Sequence, residues 1–181
     1  VEIGDNNILR EGVSVNRGTE KEDGITRIGD NNFLMGNVHV AHDCQIGSHV
    51  ILSNSVALAG HIEVGDYAII SGAAAIHQFC RVGKHALVGG LSRIVQDVPP
   101  FMIVEGNPSK TRGLNAIGLQ RRGFDEEDIL SLKTAYKKLF LKKDGNLAIA
   151  LSSLKATHTG DLAVVRHLIE FIEQSQRGVT R

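Results

Sequence analysis

The sequence predicts a mainly β protein: a parallel β-helix followed by a small C-terminal α-helical domain. Three observations carry that prediction. An aliphatic residue recurs at every sixth position through the first half, small residues flank it, and the pattern turns helical after two proline-bearing segments.

Stepping by six from Ile28 meets Leu34, Val40, Ile46, Leu52, Leu58, Val64, Ile70, Ile76, Val82, Val88 and Ile94. The next position is often small, as at Gly29, Ala41, Gly47, Ser53 and Gly65. Six matches neither the helical 3.6 nor the strand period of two. It is a short strand plus a turn, repeated, as in a parallel β-helix. Three such units make one triangular coil of eighteen residues, with coils stacked roughly 4.8 Å apart and the aliphatic column inside. The same phase appears at Ile3, Leu9 and Val15, then slips by one through Arg17–Thr26. That polar, glycine-bearing stretch reads as a loop pushed out of the repeat. The period does not set the handedness; a left-handed β-helix is what similarity to hexapeptide-repeat proteins implies.

The repeat is expected to end near Val95, so residues 1–98 form the β-helix. Pro99-Pro100 and Asn107-Pro108 mark irregular chain, giving a connecting segment over 99–112. Residues 113–181 form the helical domain. There Asp125 caps a helix carrying Ile129, Leu130, Leu132, Ala135, Leu139 and Phe140. Asp144-Gly145 breaks it, a further helix covers roughly 147–155, and Asp161 starts a last one with Leu162, Val165, Leu168, Ile169 and Ile172 on one face. Val1-Glu2-Ile3-Gly4 begins inside a repeat, so further upstream coils are expected in the intact protein.

The 181 residues carry 20 Lys+Arg against 20 Asp+Glu, which gives no attraction to nucleic acid or membrane surfaces. No stretch approaches the roughly 18 to 20 apolar residues of a membrane span, and nothing reads as a leader peptide. A cytoplasmic, reducing location is expected. Cys44 and Cys80 lie two coils apart, about 9.6 Å, beyond the roughly 7 Å limit for a disulfide. Both are expected to be reduced core fillers.

The eighteen-residue coil also maps the chemistry. His42, Gly60 and Gln78 fall in one column; Asp43, His61 and Phe79 fall in the next. His77 adjoins Gln78, and His39 lies three residues before His42. Half of the 8 histidines are thereby expected in one patch. A single surface histidine is usually just solvated. A zinc site is an alternative for the group, but no two of these histidines have the His-x4-His spacing of hexapeptide-repeat carbonic anhydrases, so no metal is expected. A general base suits better, because neutral imidazole takes a proton from a hydroxyl. Asp43 could orient it, given a turn at this corner. Gly60 would admit a ligand closely and leave a backbone N–H for an oxyanion.

At these residues the chain resembles the UDP-N-acetylglucosamine O-acyltransferases of lipid A biosynthesis. The stretches that carry the resemblance are VEIGDNN (1–7), NRGT (16–19), HVAHDC (39–44), LAGHIEVGD (58–66), HQFC (77–80), VGG (88–90), QDVPP (96–100), EGNP (105–108) and GLQRRGF (118–124). The last lies outside the repeat, so generic hexapeptide repetition does not produce it. The resemblance implies a homotrimer with active sites between neighbouring prisms. It implies transfer of a (3R)-3-hydroxyacyl chain from acyl carrier protein to the 3-position of a UDP-sugar, with no cofactor beyond the donor's own phosphopantetheine. It makes His42 the base, Asp43 its orienting partner and the Gly60 amide the oxyanion donor. It places His39, His61, His77 and Gln78 against sugar and pantetheine, and Asn115, Arg121 and Arg122 at the nucleotide, where guanidinium groups suit a pyrophosphate. The plainer reading of Arg121-Arg122 is a solvated helix start. Gly90 matches the position that sets acyl length, its missing side chain leaving room for a long chain. Ile117 departs from the acid the family often carries there. Two other readings stand beside this one: a non-catalytic trimeric scaffold or UDP-sugar-binding homologue, and the N-acyltransferase two steps later, against which GLQRRGF argues. The sequence leaves O- and N-acylation open.

Overall fold

A ladder of two-residue strands wraps a triangular prism. In this computed structural model, residues 1–20, 24–141, 146–157, 159 and 162–181 are described. The first face holds Glu2–Ile3, Arg27–Ile28, Gln45–Ile46, Glu63–Val64 and Arg81–Val82. The second holds Ile8–Leu9, Phe33–Leu34, Ile51–Leu52, Ile69–Ile70 and Leu87–Val88. The third holds Ser14–Val15, His39–Val40, Ala57–Leu58, Ala75–Ile76 and Arg93–Ile94. Every pairing among these strands is parallel, and Arg27 opposite Gln45 shows the eighteen-residue register. The fold is a left-handed parallel β-helix. Glu2 lies opposite Arg27, so the first coil is seven residues longer. That excess is the loop expected at 17–26, of which 21–23 lie outside the described residues.

The aliphatic column fills the prism: Leu34, Val40, Leu52, Leu58, Ile70, Val88 and Ile94 are fully buried, with Cys44 and Cys80 among them as free thiols. In the first coil the same column is open, with Ile3 45% and Leu9 41% exposed, against 3% at Ile28 and 0% at Leu34 one coil on.

The corners hold a feature the glycine pattern did not suggest. Every sixth residue from Asn31 to Leu91 has φ between 55° and 62°, and none of them is glycine. Asp43, His61, Tyr67, Phe79 and His85 are among them. A left-handed conformation costs a side-chain-bearing residue about 1–2 kcal/mol. What offsets it is an inter-coil hydrogen bond: the N–H of His61 donates to the His42 carbonyl at 3.0 Å and that of Phe79 to Gly60 at 3.2 Å.

The repeat runs past Val95. Val98 pairs with Val82 and Val104 with Val88, two residues short of the usual register, and both valines are buried in the prism. The segment expected as irregular is a hairpin, Met102–Gly106 with Ser109–Leu114, which extends the second face. Its inward residues Met102 and Val104 alternate with outward ones, a strand pattern that the prolines obscured.

The helical domain comprises α1 (Ala116–Arg121), α2 (Glu126–Tyr136) continuing into a π-turn (Lys137–Leu141), α3 (Leu147–Lys155) and α4 (Ala163–Glu173). Asp125 caps α2, its carboxylate accepting from the Asp128 N–H at 2.7 Å. Ile129, Leu132, Ala135, Leu139 and Phe140 are buried as expected, but Leu130 is 66% exposed, on the opposite side of α2. Val165, Leu168, Ile169 and Ile172 line the buried side of α4. Asp144, Gly145 and Asp161 lie outside the described residues. Asp97 fastens the chain's end to the prism. Its buried carboxylate accepts from the Arg81 N–H (2.8 Å) and the Ser175 hydroxyl (2.7 Å), and its backbone pairs with Gly178 and Thr180.

Between prism and helices runs a column of rings. His49 stacks on Tyr67 (4.5 Å), Tyr67 on His85 (4.8 Å) and His85 on Phe101 (5.9 Å), with Phe124 edge-on to His85. Burial first, then the nearby Arg122 and Lys84 charges, push His85 from 6.5 down to about 4. The unfolded chain therefore binds a proton near pH 6.5 that the folded chain takes only near 4. This contribution to stability is full above about pH 6.5 and is lost as pH falls toward 4. The melting temperature is expected to drop across that window, and less so in His85→Phe. Equal drops in both proteins, followed by circular dichroism, would exclude His85 as the source.

Candidate active site

The corner between the third and first faces gathers His42, Asp43, Gly60 and His61. The turn after His39–Val40 places His42 beside Asp43, and the left-handed φ of 60° at Asp43 swings its side chain back toward its neighbour. Flat strand geometry would send the two to opposite faces. The His42 Nδ1–H donates to Asp43 Oδ2 at 2.8 Å. A carboxylate only accepts, so this bond places the proton on Nδ1 and leaves the Nε2 lone pair available. The His42 side chain is 41% exposed and that of Asp43 only 1%, so a substrate reaches the imidazole but not the acid.

One coil on, Gly60 lies against the His42 ring. A Cβ there would sit 2.6 Å from Cε1 and 2.8 Å from Nε2. The Gly60 carbonyl accepts from Phe79, while its N–H has no acceptor among the described residues. His61 meets His42 edge-on, ring centres 5.1 Å apart, and its Nε2 lies 3.7 Å from Asp43 Oδ2. Phe79, 48% exposed, stacks on His61 at 4.7 Å.

Burial would raise the Asp43 pKa, but the His42 hydrogen bond, two from Thr19 and the nearby His61 outweigh it and hold the acid at about 2. Asp43 is thus ionised throughout the range in which a histidine base works. Donor atoms of His42, Asp43 and His61 lie within 4.8 Å of one another, close enough to take a cation. Both Asp43 oxygens, however, already accept from Thr19, at 2.9 Å from its N–H and 2.8 Å from its hydroxyl. Thr19 and Thr26 are the residues that reading the sequence for chemistry did not single out.

The other expected residues are more dispersed. His39 faces outward from the third face, its Nδ1 2.8 Å from the Ser14 hydroxyl. His77 is exposed and donates from Nδ1 to the Gln78 carbonyl at 3.2 Å; Gln78 is exposed beside it. Gly90 lies at a different corner, between second and third faces, where a Cβ would meet only the Gly72 carbonyl at 3.3 Å and the Ser71 Cβ at 4.0 Å. Asn115 and Arg122 lie by the ring column at the remaining corner, with Arg121 next to Arg122 at the end of α1. The Asn115 amide caps α1 and donates to the His85 carbonyl. Arg122 lies 4.4 Å over the Tyr67 ring, and Arg121 is exposed. The pair ends α1 rather than starting a helix. Ile117 is 65% exposed on α1. Of these expected residues, His42, Asp43, Gly60 and His61 lie together within one chain, while Gly90 and the Arg121–Arg122 pair lie away from that corner.

The family described as Udp N-acetylglucosamine O-acyltransferase, domain 2, matches residues 97–180, and the bacterial transferase hexapeptide repeat matches 25–60. The chain is 56% identical to an acyl-[acyl-carrier-protein]–UDP-N-acetylglucosamine O-acyltransferase of Akkermansia muciniphila, over 98% of this chain and 68% of that one. It is 46% identical to the protein of the same name from Burkholderia mallei, over 99% of this chain and 69% of the relative. The solved UDP-N-acetylglucosamine acyltransferase of Francisella novicida superposes with a TM-score of 0.93 at 42% identity, covering 99% of this chain and 65% of its own. The chain thus spans about two thirds of the length of these relatives. With identity of this order along nearly its whole length, it belongs to the acyl-[acyl-carrier-protein]–UDP-N-acetylglucosamine O-acyltransferases.

Proposed function

We propose that the protein transfers a (3R)-3-hydroxyacyl chain from acyl carrier protein to the 3-hydroxyl of UDP-N-acetylglucosamine, the first step of lipid A biosynthesis, with His42 as general base. The observation that carries this is the His42–Asp43 pair, whose hydrogen bond leaves the Nε2 lone pair available beside Gly60 on a partly exposed ring. Nε2 takes the proton of the sugar 3-hydroxyl as its oxygen attacks the thioester carbonyl. The Gly60 N–H donates to the oxyanion that forms. Collapse breaks the C–S bond, and the proton held on His42 passes to the departing pantetheine sulfur. Asp43 keeps the imidazole in the required tautomer and offsets its positive charge. This chemistry draws its acyl group from the donor's phosphopantetheine and calls on no metal or further cofactor.

The working unit in this reading is a homotrimer. Two features support it. The groups assigned to the acyl chain (Gly90) and the nucleotide (Arg121, Arg122) sit at corners other than that of His42, so they meet it only across copies. The second face also presents an outward apolar column of Phe33, Ile51, Ile69, Leu87 and Ile103, all half-buried. His39, His61, His77, Gln78 and Asn115 are assigned to substrate contacts around this site. No described helix is long and apolar enough to cross a membrane, and we place the reaction in the cytoplasm.

Purified full-length protein, given UDP-N-acetylglucosamine and 3-hydroxyacyl carrier protein, is expected to form the 3-O-acyl product. His42→Ala should lower kcat by about 10²- to 10⁴-fold; wild-type turnover in that variant would end the assignment. Gly60→Ala pushes a methyl into the His42 ring and should lower kcat strongly while leaving sugar binding near normal. If Gly60→Ala leaves kcat unchanged, the close approach is not needed. Gly90→Met fills the open corner and should shift preference to shorter acyl donors; competition between donors of different length, read by mass spectrometry, decides it, and unchanged preference would remove Gly90 from the acyl site.

A further inference from the structure

The loop that breaks the repeat does more than interrupt it: both of its ends address one residue. Thr19 gives Asp43 two hydrogen bonds, from its N–H to Oδ1 (2.9 Å) and from its hydroxyl to Oδ2 (2.8 Å). Thr26, fully buried, accepts the Asp43 N–H on its own hydroxyl at 2.8 Å. At the other left-handed corner residues from Asn31 to Leu91, the N–H donates to a backbone carbonyl of the preceding coil. Asp43 is the exception among them. The insertion removes the ladder carbonyl there and supplies two threonine side chains and one amide instead. The ends of the loop are drawn close together to do so: a Cβ on Gly18 would collide with the Gly24 backbone and the Ile25 nitrogen. A cleft of about 690 Å³ opens between His42 and the loop residues Asn16, Gly18 and Thr19.

We propose that the two described ends of this loop are part of the catalytic apparatus and that Thr19 is a positioning residue, pinning both oxygens of Asp43 so that Asp43 holds the His42 ring in line for proton transfer. With one Thr19 donor on each oxygen, the carboxylate does not turn about its Cβ–Cγ bond. Oδ2 is left with one direction to offer His42 Nδ1–H, and the ring plane follows from it. The same two bonds help hold the Asp43 pKa down at about 2 despite its burial.

This role rests on His42 as base, and the experiment separates the two. Full-length enzyme is assayed as wild type, His42→Ala, Thr19→Val, Thr19→Ser, Asp43→Asn and the Thr19→Val/Asp43→Asn double variant. Valine keeps the β-branched shape and the N–H and replaces the hydroxyl with a methyl. The expected result is a fall in kcat of roughly ten- to a hundredfold in Thr19→Val, with KM for the sugar nucleotide within about twofold of wild type. Thr19→Ser should restore most of kcat. In the Asp43→Asn background, Thr19→Val should cost little more, since its target is already gone. If His42→Ala retains turnover, the base assignment fails and this role with it. If His42→Ala is inactive while Thr19→Val keeps wild-type kcat, or changes only KM, or loses kcat only together with its melting transition, or adds its full cost to that of Asp43→Asn, Thr19 is structural and the proposal is overturned.

Discussion

The structure depends on one repeated hydrogen bond: a corner residue donating its N–H to the carbonyl one coil back. Short strands of two residues have little ladder of their own to fix their register. The corner bond adds a fixed point to each hexad and holds a backbone conformation that side-chain-bearing residues otherwise avoid. Leu91, Phe79 and Tyr67 would each prefer another φ, and each is held near 60° by that bond and by its neighbours in the column. The regularity of the prism is thus enforced by the stack. A single hexad has no reason to bend this way on its own, and the fold is cooperative along its axis in the manner of other solenoids.

That enforcement turns corners into places where side chains are aimed. A left-handed corner residue directs its side chain along the column, so rings stack on rings: His61 on Phe79, His49 on Tyr67 on His85. It also brings Asp43 back onto His42, adjacent in sequence. A buried carboxylate needs donors on its free lone pairs. The regular ladder supplies none of the hydrogen bonds that the Asp43 carboxylate accepts. The insertion in the first coil resolves this by breaking the ladder at that one corner, and the bonds it frees and adds converge on Asp43. Regularity builds the scaffold, and one local departure from it builds the acid.

How much of this could be read beforehand follows from the same division. The column from Ile28 to Ile94 is a matter of period alone, and each of its members is buried in the prism. The stacking of Gly60 against His42 follows from the eighteen-residue coil, as does the neighbourhood of Asp43 and His61. The map failed where the register changed. Val98 and Val104 are core residues two positions out of phase, so stepping by six passed over them. Thr19 lies across the insertion from Asp43, where no count of eighteen connects them. The left-handed corners were hidden for another reason. Local preference puts glycine or asparagine at such φ values, and histidine, phenylalanine and leucine there give no local sign of it. His39 and His77 hydrogen-bond to Ser14 and to the Gln78 carbonyl, contacts that the eighteen-residue count did not foresee.

The distribution of groups over three corners has a physical logic. A triangular prism is convex, and its faces are nearly flat, so one copy has little means of enclosing a substrate with a long acyl chain at one end and a nucleotide at the other. Ligand sites are concave and bury most of their ligand. Setting the edge of one rod beside another would enlarge and close the cleft that one copy already opens beside His42. The His42 corner, with its 41% exposed imidazole, is an edge of this kind, and the apolar column on the second face is the surface such a neighbour would cover. Parallel packing of identical prisms repeats every corner at the same height. In the proposed reading, His42 of one copy would then face the groups assigned to acyl chain and nucleotide in others, without any chain having to fold around its own ligand. The constraint that makes the prism straight and convex thereby makes association between copies the simplest route to a closed site.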